Sequence, residues 1–436
     1  MHLLCDWSLS LNCTPFTWQV YCTCHVIGSS LTEPGPMGSS ILTEGNRSGL
    51  RRNHHTPTTH SKTTHDDVTN FGAVGDGNTD NSKAFLAAWE AACKKKTNNA
   101  KVTVPSGKTF LLSPIQFEGP CKSNPITFEI LGNIVAPPRS AWTKKSADEW
   151  LSFHRVDRLI VAGNGQGVID GRGESWWTHG DGKSRPTALR FSHCNELQVG
   201  GLKHRNSQKN HVSINGCNGA TISNLDIRAP AKSPNTDGID ISASTNLRIQ
   251  NCLMATGDDC IAINGGTSNV DISNIACGPG HGISIGSLGK DGKHDEVEGI
   301  SITNSIFTRT DNGVRIKTWQ GGSGFARNIS FSKITFVAAN NPVIIDQYYC
   351  PHKKCADKTS AVEVSHVRYS ELHGTSICKN ATINFSCSQT VPCTDIVMDD
   401  VDIESVYPND STTAHCINAH GTASRALHPA VDCLKN

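Results

Sequence analysis

Four short segments of this chain carry residue types able to do acid–base chemistry at a recurring spacing: Asn235-Thr236-Asp237, Gly257-Asp258-Asp259, Gly280-His281-Gly282 and Arg315-Ile316-Lys317. Asp237, Asp259, His281 and Asn312 follow one another at intervals of 22, 22 and 31 residues. Taken singly, Asp and Asn are turn formers, and stacked turns collect them. In a chain coiled with that repeat, the four positions sit one above another, about 4.8 Å apart. Three carboxyls and an imidazole then converge within two coil spacings, with Asp258 one residue off the column. Like charges so close repel and raise a carboxyl's pKa. That cost points to a working site rather than to ordinary turns. In Val314-Arg315-Ile316-Lys317 the apolar residues alternate with cations, so Arg315 and Lys317 share the outward face. Paired cations beside paired acids suit an anionic substrate whose bond is cut by acid–base chemistry. The plainer reading is a solvated pair that neutralises the aspartates.

The elements that must position these residues are legible as a repeat. Leu197 opens a series continued by Ala220-Thr221-Ile222, Leu247-Arg248-Ile249, Val270-Asp271-Ile272, Ile300-Ser301-Ile302 and Ile329-Ser330-Phe331, with starts 23, 27, 23, 30 and 29 residues apart. A second family runs in phase: His211 to Ile214, Gly238 to Ile241, Cys260 to Ile263, Gly282 to Ile285, Gly313 to Ile316 and Pro342 to Ile345. Short alternating strands, two or more per repeat and without helices between, define an all-β, right-handed parallel β-helix. The register takes Ile239, Ile261, Ile283 and Val314 as equivalent inward positions. Asn224, Asn251, Asn274 and Asn304 recur two residues after the second apolar position, which predicts an inward-facing amide ladder of structural purpose. Before the repeats, Ala84, Phe85, Ala88, Trp89 and Ala92 form one apolar helix face that Asp80 or Asn81 can cap. Such a helix is a candidate cover for the open end of the solenoid.

Composition sets the outer limits. With 436 residues, 39 of them glycine, and aromatics at only 6%, the chain suits an elongated repeat of strands and tight turns. A net charge of +1 gives no field that would draw nucleic acid or a membrane surface. No apolar run reaches the roughly 18 residues of a membrane span. Eighteen cysteines without a zinc-ribbon spacing imply disulfides and an oxidising compartment. Sequons at Asn46, Asn328, Asn380, Asn384 and Asn409 agree with export. Residues 1–65, with Arg51-Arg52-Asn53-His54-His55 and no sustained periodicity, read as a leader or flexible segment without a clean signal core. Residues 66–436 read as the β-helix domain.

The four site motifs occur in the order and spacing of polygalacturonases, glycoside hydrolase family 28, which the chain resembles over roughly residues 66 to 433. Phe71 to Gly77, Ile169 to Arg172, Cys277 to Ser287 and Thr318 to Gly324 resemble the plant branch. Asp240 stands where plant relatives often carry a histidine, which leaves the mechanism intact. The resemblance implies inverting hydrolysis of polygalacturonate with no cofactor or metal. In that scheme Asp258 is the proton donor, Asp237 and Asp259 hold the water, and His281 tunes Asp258 or orders the groove. Arg315 and Lys317 bind the galacturonate carboxylate, Asn235 orients Asp237 or touches sugar hydroxyls, and Tyr349 stacks on a sugar. As an acid beside two carboxylates, Asp258 is expected to keep its proton to higher pH. Adjacent coils would by spacing alone suggest the closer carboxyl pair of a retaining enzyme; the resemblance implies inversion. It also implies the disulfides Cys260–Cys277 and Cys387–Cys393, with Cys416 and Cys433 a further possible pair. The partner expected is pectin in the cell wall, met by a secreted monomer. Only the Gly289 to Glu296 interval has spare length near the site, too short for a wall, so cutting within the polymer is expected. Two rivals stand beside this reading: a calcium-dependent pectin or pectate lyase on the same fold, and a catalytically silent pectin-binding wall protein.

Overall fold

In the computed structural model, the described residues are 65–142, 148–178, 185–351, 355, 357–378, 381–424 and 427–434. All but the last residue of the 1–65 segment, with the sequons at Asn46 and Asn380, lie outside them. Among the described residues every paired strand runs parallel to its neighbours, in one sheet of eleven strands and another of nineteen. The chain is a parallel β-helix, wound with the right-handed crossover that twisted parallel strands favour.

Side-chain alternation explains the winding. In each coil one set of alternate residues is apolar and stacks on its counterpart in the next coil, while the other set faces out. The register read from the sequence is the one observed: Ile239 pairs with Ile261, Ile261 with Ile283, and Ile283 with Val314. A second inward column, Ile214, Ile241, Ile263, Ile285, Ile316 and Ile345, runs beside it and is fully buried. Truncating one such isoleucine to alanine costs about 2–5 kcal/mol. The other repeat family is also in register, Leu197 on Ala220, then Leu247, Val270, Ile300 and Ile329.

The corners depend on asparagine. Asn224, Asn251, Asn274 and Asn304 all adopt left-handed φ between 48° and 57°, a conformation that Asn tolerates better than most residues. They do form an amide ladder, Asn274 Nδ2 donating to Asn251 Oδ1 at 2.9 Å and Asn304 donating in turn to Asn274. The ladder faces solvent, however, and not the interior as expected. The reason is geometric: a left-handed residue breaks the in–out alternation and turns its side chain out at the corner. In this way Thr245–Ala255 bends at Asn251 and pairs with both Asn218–Ser223 and Asp226–Arg228 of the coil before.

The helix Ser82–Lys94 buries the five residues of its apolar face against the first coils, with Trp89 5.4 Å from Phe117 and 5.5 Å from Phe153. Asp80 accepts the Ser82 N–H at 2.9 Å, while the Asn81 amide oxygen accepts from Val74 instead. Five disulfides are present among the described residues: Cys93–Cys121, Cys260–Cys277, Cys350–Cys355, Cys387–Cys393 and Cys416–Cys433. The described helices include none long and apolar enough to cross a membrane.

Candidate active site

The site lies on the outward face of the eleven-stranded sheet, where Ile239–Ser242, Ile261–Ile263, Ile283–Leu288 and Asn312–Thr318 follow one another. Each strand begins with a turn that carries the acid or the imidazole. Gly282, at φ 87°, is one place where glycine is required, since a Cβ there would meet Gly313 O at 2.2 Å. The Cys260–Cys277 disulfide ties the Asp259 turn to the strand leading to His281.

Asp258, Asp259 and His281 each offer an atom within 4.8 Å of the others. His281 Nδ1 lies 3.0 Å from Asp258 Oδ1, and its Nε2 lies 3.4 Å from Asp311. Asp259 is almost fully buried and ion-paired twice, with Arg315 Nη2 on Oδ1 and Lys317 Nζ on Oδ2, both at 2.8 Å. The Ser284 hydroxyl also donates to Asp259 Oδ1 at 2.9 Å, and Arg315 Nε donates to Ser284 at 3.0 Å. The two cations therefore do neutralise an aspartate, but from a buried position rather than as a solvated pair. Each retains donors beyond those spent on Asp259, since an ammonium has three and a guanidinium five.

The protons are distributed differently from the expectation. Burial pushes the Asp258 carboxyl up, but the hydrogen bond and charge of His281 outweigh it and hold Asp258 below its ordinary 3.8. The same bond to Asp258 raises His281 above 6.5, against burial. Asp237 is the carboxyl that holds its proton to higher pH, because it is buried and repelled by Asp258 and Asp259. Proximity of charges was legible in the sequence; the imidazole contact that reverses the order for Asp258 was not.

Asn235, at φ 54°, presents Nδ2 to Asp258 Oδ2 at 3.3 Å, so its amide reaches Asp258 rather than Asp237. Its Oδ1 accepts from Arg185 Nη2 at 2.7 Å. Arg185 is buried and also donates to Pro234 O, which fixes the turn before Asp237. Sequence reasoning missed Arg185 because Pro234 and Asn235 lie 49 and 50 residues away from it and its own segment has no period. Tyr349 packs edge-on to Trp319 with centroids 5.7 Å apart, and Lys317 Nζ lies 5.3 Å from the centre of its ring. Asp311, Asn312, Asn340, Asn341 and Pro351 line the same cleft with Asn235, Asp258, His281, Arg315, Lys317 and Tyr349. The Gly289 to Glu296 segment is a short 3-10 turn, Lys290–Gly292, leading into the strand that starts at His294.

The carboxylate–imidazole spacing invites a test for a cation. Both oxygens of Asp259 are already taken by Arg315 and Lys317. A divalent ion there would face two positive charges, so the donor set does not fit calcium.

A parallel β-helix with stacked acids and buried cations on one outer face defines a class: the solenoid enzymes that open glycosidic bonds. A profile of glycosyl hydrolases family 28 matches residues 93–425, and the chain belongs to that family. It is 50% identical over 374 residues to a probable polygalacturonase of Arabidopsis thaliana, covering 85% of this chain and 80% of that one. It is 42% identical over 374 residues to a polygalacturonase of Prunus persica, covering 84% and 93%. The endo-xylogalacturonan hydrolase of Aspergillus tubingensis superposes with a TM-score of 0.72 at 24% identity, over 84% of this chain and all of that one. The polygalacturonase of Erwinia carotovora ssp. carotovora gives 0.61 at 19% identity, over 86% and 99%, a likeness of fold.

Proposed function

We propose that this protein hydrolyses the α-1,4 bonds of polygalacturonate with inversion, and cuts within the polymer. The observation that carries the reading is the single register that brings Asp237, Asp258, Asp259 and His281 together beside Arg315 and Lys317. The relatives named polygalacturonase supply the substrate class.

Hydrolysis needs a group that gives a proton and one that takes one. The Asp258–His281 pair holds a proton next to the cleft. The glycosidic oxygen leaves with a proton from Asp258, which His281 resupplies. Water held between Asp237 and Asp259 attacks the anomeric carbon and gives its proton to the ionised form of Asp237, the carboxyl of that pair with the raised proton affinity. Arg315 and Lys317 share their remaining donors with the sugar carboxylate. An arriving polyanion also raises the proton affinity of Asp258, loading the donor when substrate is present. Asn235 holds Asp258 in place, and Tyr349 offers a ring edge to a neighbouring sugar.

Residues 66–436 form the hydrolase domain, working as a secreted monomer on cell-wall pectin; the five disulfides support an oxidising compartment. Asn328 and Asn409 are exposed sequons suited to glycosylation, whereas Asn384 is half-buried within the strand Ile383–Ser386. A lyase is disfavoured because the cations occupy the oxygens that calcium would need.

The experiment is incubation with polygalacturonate, following reducing ends, absorbance of unsaturated products and viscosity together. Reducing ends without unsaturation, and a steep fall in viscosity early on, are expected. Unsaturated ends mean a lyase, no products a silent binder, and a viscosity falling only in step with free monomer an exo enzyme.

A further inference from the structure

We infer that Asp240 makes this enzyme favour an uncharged, esterified sugar unit at the position it faces in the groove. The inference rests on the galacturonan substrate proposed above. Asp240 lies between the inward residues Ile239 and Ile241, so it faces out on the groove side, in register with Ser213 before it and Ala262, Ser284 and Arg315 after it. Three strand spacings, about 14 Å, separate it from Arg315. That exceeds one pyranose ring, so a chain held at Arg315 and Lys317 presents a different unit to Asp240.

The surroundings of the two carboxylates differ. Asp259 is bound by two cations, whereas Asp240 is held by two neutral amides, Asn210 Nδ2 at 2.6 Å and Asn264 Nδ2 at 2.9 Å. Lys209 and Arg190 act on it with positive charge, and Arg190 is itself bound to Glu149 at 3.2 Å. Asp259 acts with negative charge. Among the described residues no cation lies within ion-pair distance of Asp240, so a galacturonate carboxylate facing it meets an unpaired like charge. An ester carries no charge and escapes that repulsion. Burial pushes the Asp240 carboxyl up to about 6. Above that pH the group is charged and the bias operates; below it the group is protonated and the bias fades.

The test compares wild type with Asp240→Asn on de-esterified polygalacturonate and on partly methyl-esterified pectin, on either side of pH about 6. The readout is the ratio of the two kcat/KM values, in which the titration of Asp258 and His281, common to both substrates, cancels. The substitution is expected to raise the ratio in favour of polygalacturonate about fivefold on the alkaline side, by removing a like-charge contact. The wild-type ratio should move the same way on acidification, and the variant ratio should stay flat. An unchanged ratio, or equal losses on both substrates as expected of a purely structural clamp on Asn210 and Asn264, overturns the inference. Should the variant not fold, the products of wild type on esterified pectin decide. Methyl esters concentrated at one fixed position from the new ends support the inference, and randomly placed esters refute it. A wild type inactive on both substrates would refute the proposed activity, and this inference with it.

Discussion

Replacing Asp258 by asparagine keeps the shape of the site and removes its ability to carry and give a proton. The Asn Oδ1 can still accept from Asp259 N–H, now at 2.8 Å, and from His281 Nδ1, now at 3.0 Å. The new amide, however, points N–H groups at Asn235 Nδ2, which now donates to Oδ2 at 3.3 Å. Two effects follow and are read separately. Without a transferable proton the rate should fall by about 10²–10⁴. The charge-assisted bond to His281 is worth about 1.5–3 kcal/mol when buried. Here the imidazole side chain is 35% exposed, so solvent screening brings the stability loss to about 1 kcal/mol. That loss has a pH window. The raised His281 contributes stability present below 6.5 and lost as pH rises through its folded value. The lowered Asp258 contributes stability present above 3.8 and lost as pH falls through its folded value. The difference in stability between wild type and Asp258→Asn should thus be largest between those two pH values. Reducing-end assays on polygalacturonate give the rate, binding of the polymer to the variant shows that the groove is intact, and denaturant melts across pH give the window. A variant rate within a factor of two of wild type removes Asp258 from the donor role. A stability difference independent of pH removes the ion pair.

Lys317→Ala leaves the buried Asp259 with Arg315 as its one remaining ion-pair partner among the described residues, and should cost about 3 kcal/mol by thermal melt. Its binding loss should be greater on polygalacturonate than on heavily esterified pectin, and equal losses on both would argue against a sugar-carboxylate contact. His211 is buried neutral, with Nδ1 3.1 Å from Asp237 O and its value pushed down to about 4 by burial. A neutral buried imidazole makes the fold lose stability as pH drops from 6.5 towards 4, by about 3 kcal/mol. His211→Gln should flatten that slope in acid titrations and lower kcat more than it raises KM, because the Asp237 turn loses a support; an unchanged slope would assign the acid sensitivity elsewhere. Removing the Cys260–Cys277 disulfide, which closes a separation of 17 residues, with Cys260→Ser and Cys277→Ser should cost about 3 kcal/mol in a melt. No change in melting would show that the neighbouring coils alone hold the Asp259 turn.

The periodic part of this protein is written in its residue pattern. Alternation at Ile239 and Ile241, repeated at Ile261 and Ile263 and at Ile283 and Ile285, fixes which face is inward, and equal intervals fix the register, because slipping by one residue would expose every isoleucine. That register was enough to stack Asp237, Asp259 and His281 and to turn Arg315 and Lys317 the same way. Tertiary structure decided what periodicity does not encode. The Asn251 and Asn274 corners point outward because a left-handed residue interrupts the alternation. Arg185 reaches Asn235 from outside the repeat, through a contact that no local pattern announces. The placement of protons was also decided in three dimensions. A charge count over the motifs assigns the high-pH proton to Asp258, but its 3.0 Å contact with His281 lowers it and leaves that proton on Asp237. Electrostatic energy varies with individual distances and with burial, and those are set by how the turns close on one another.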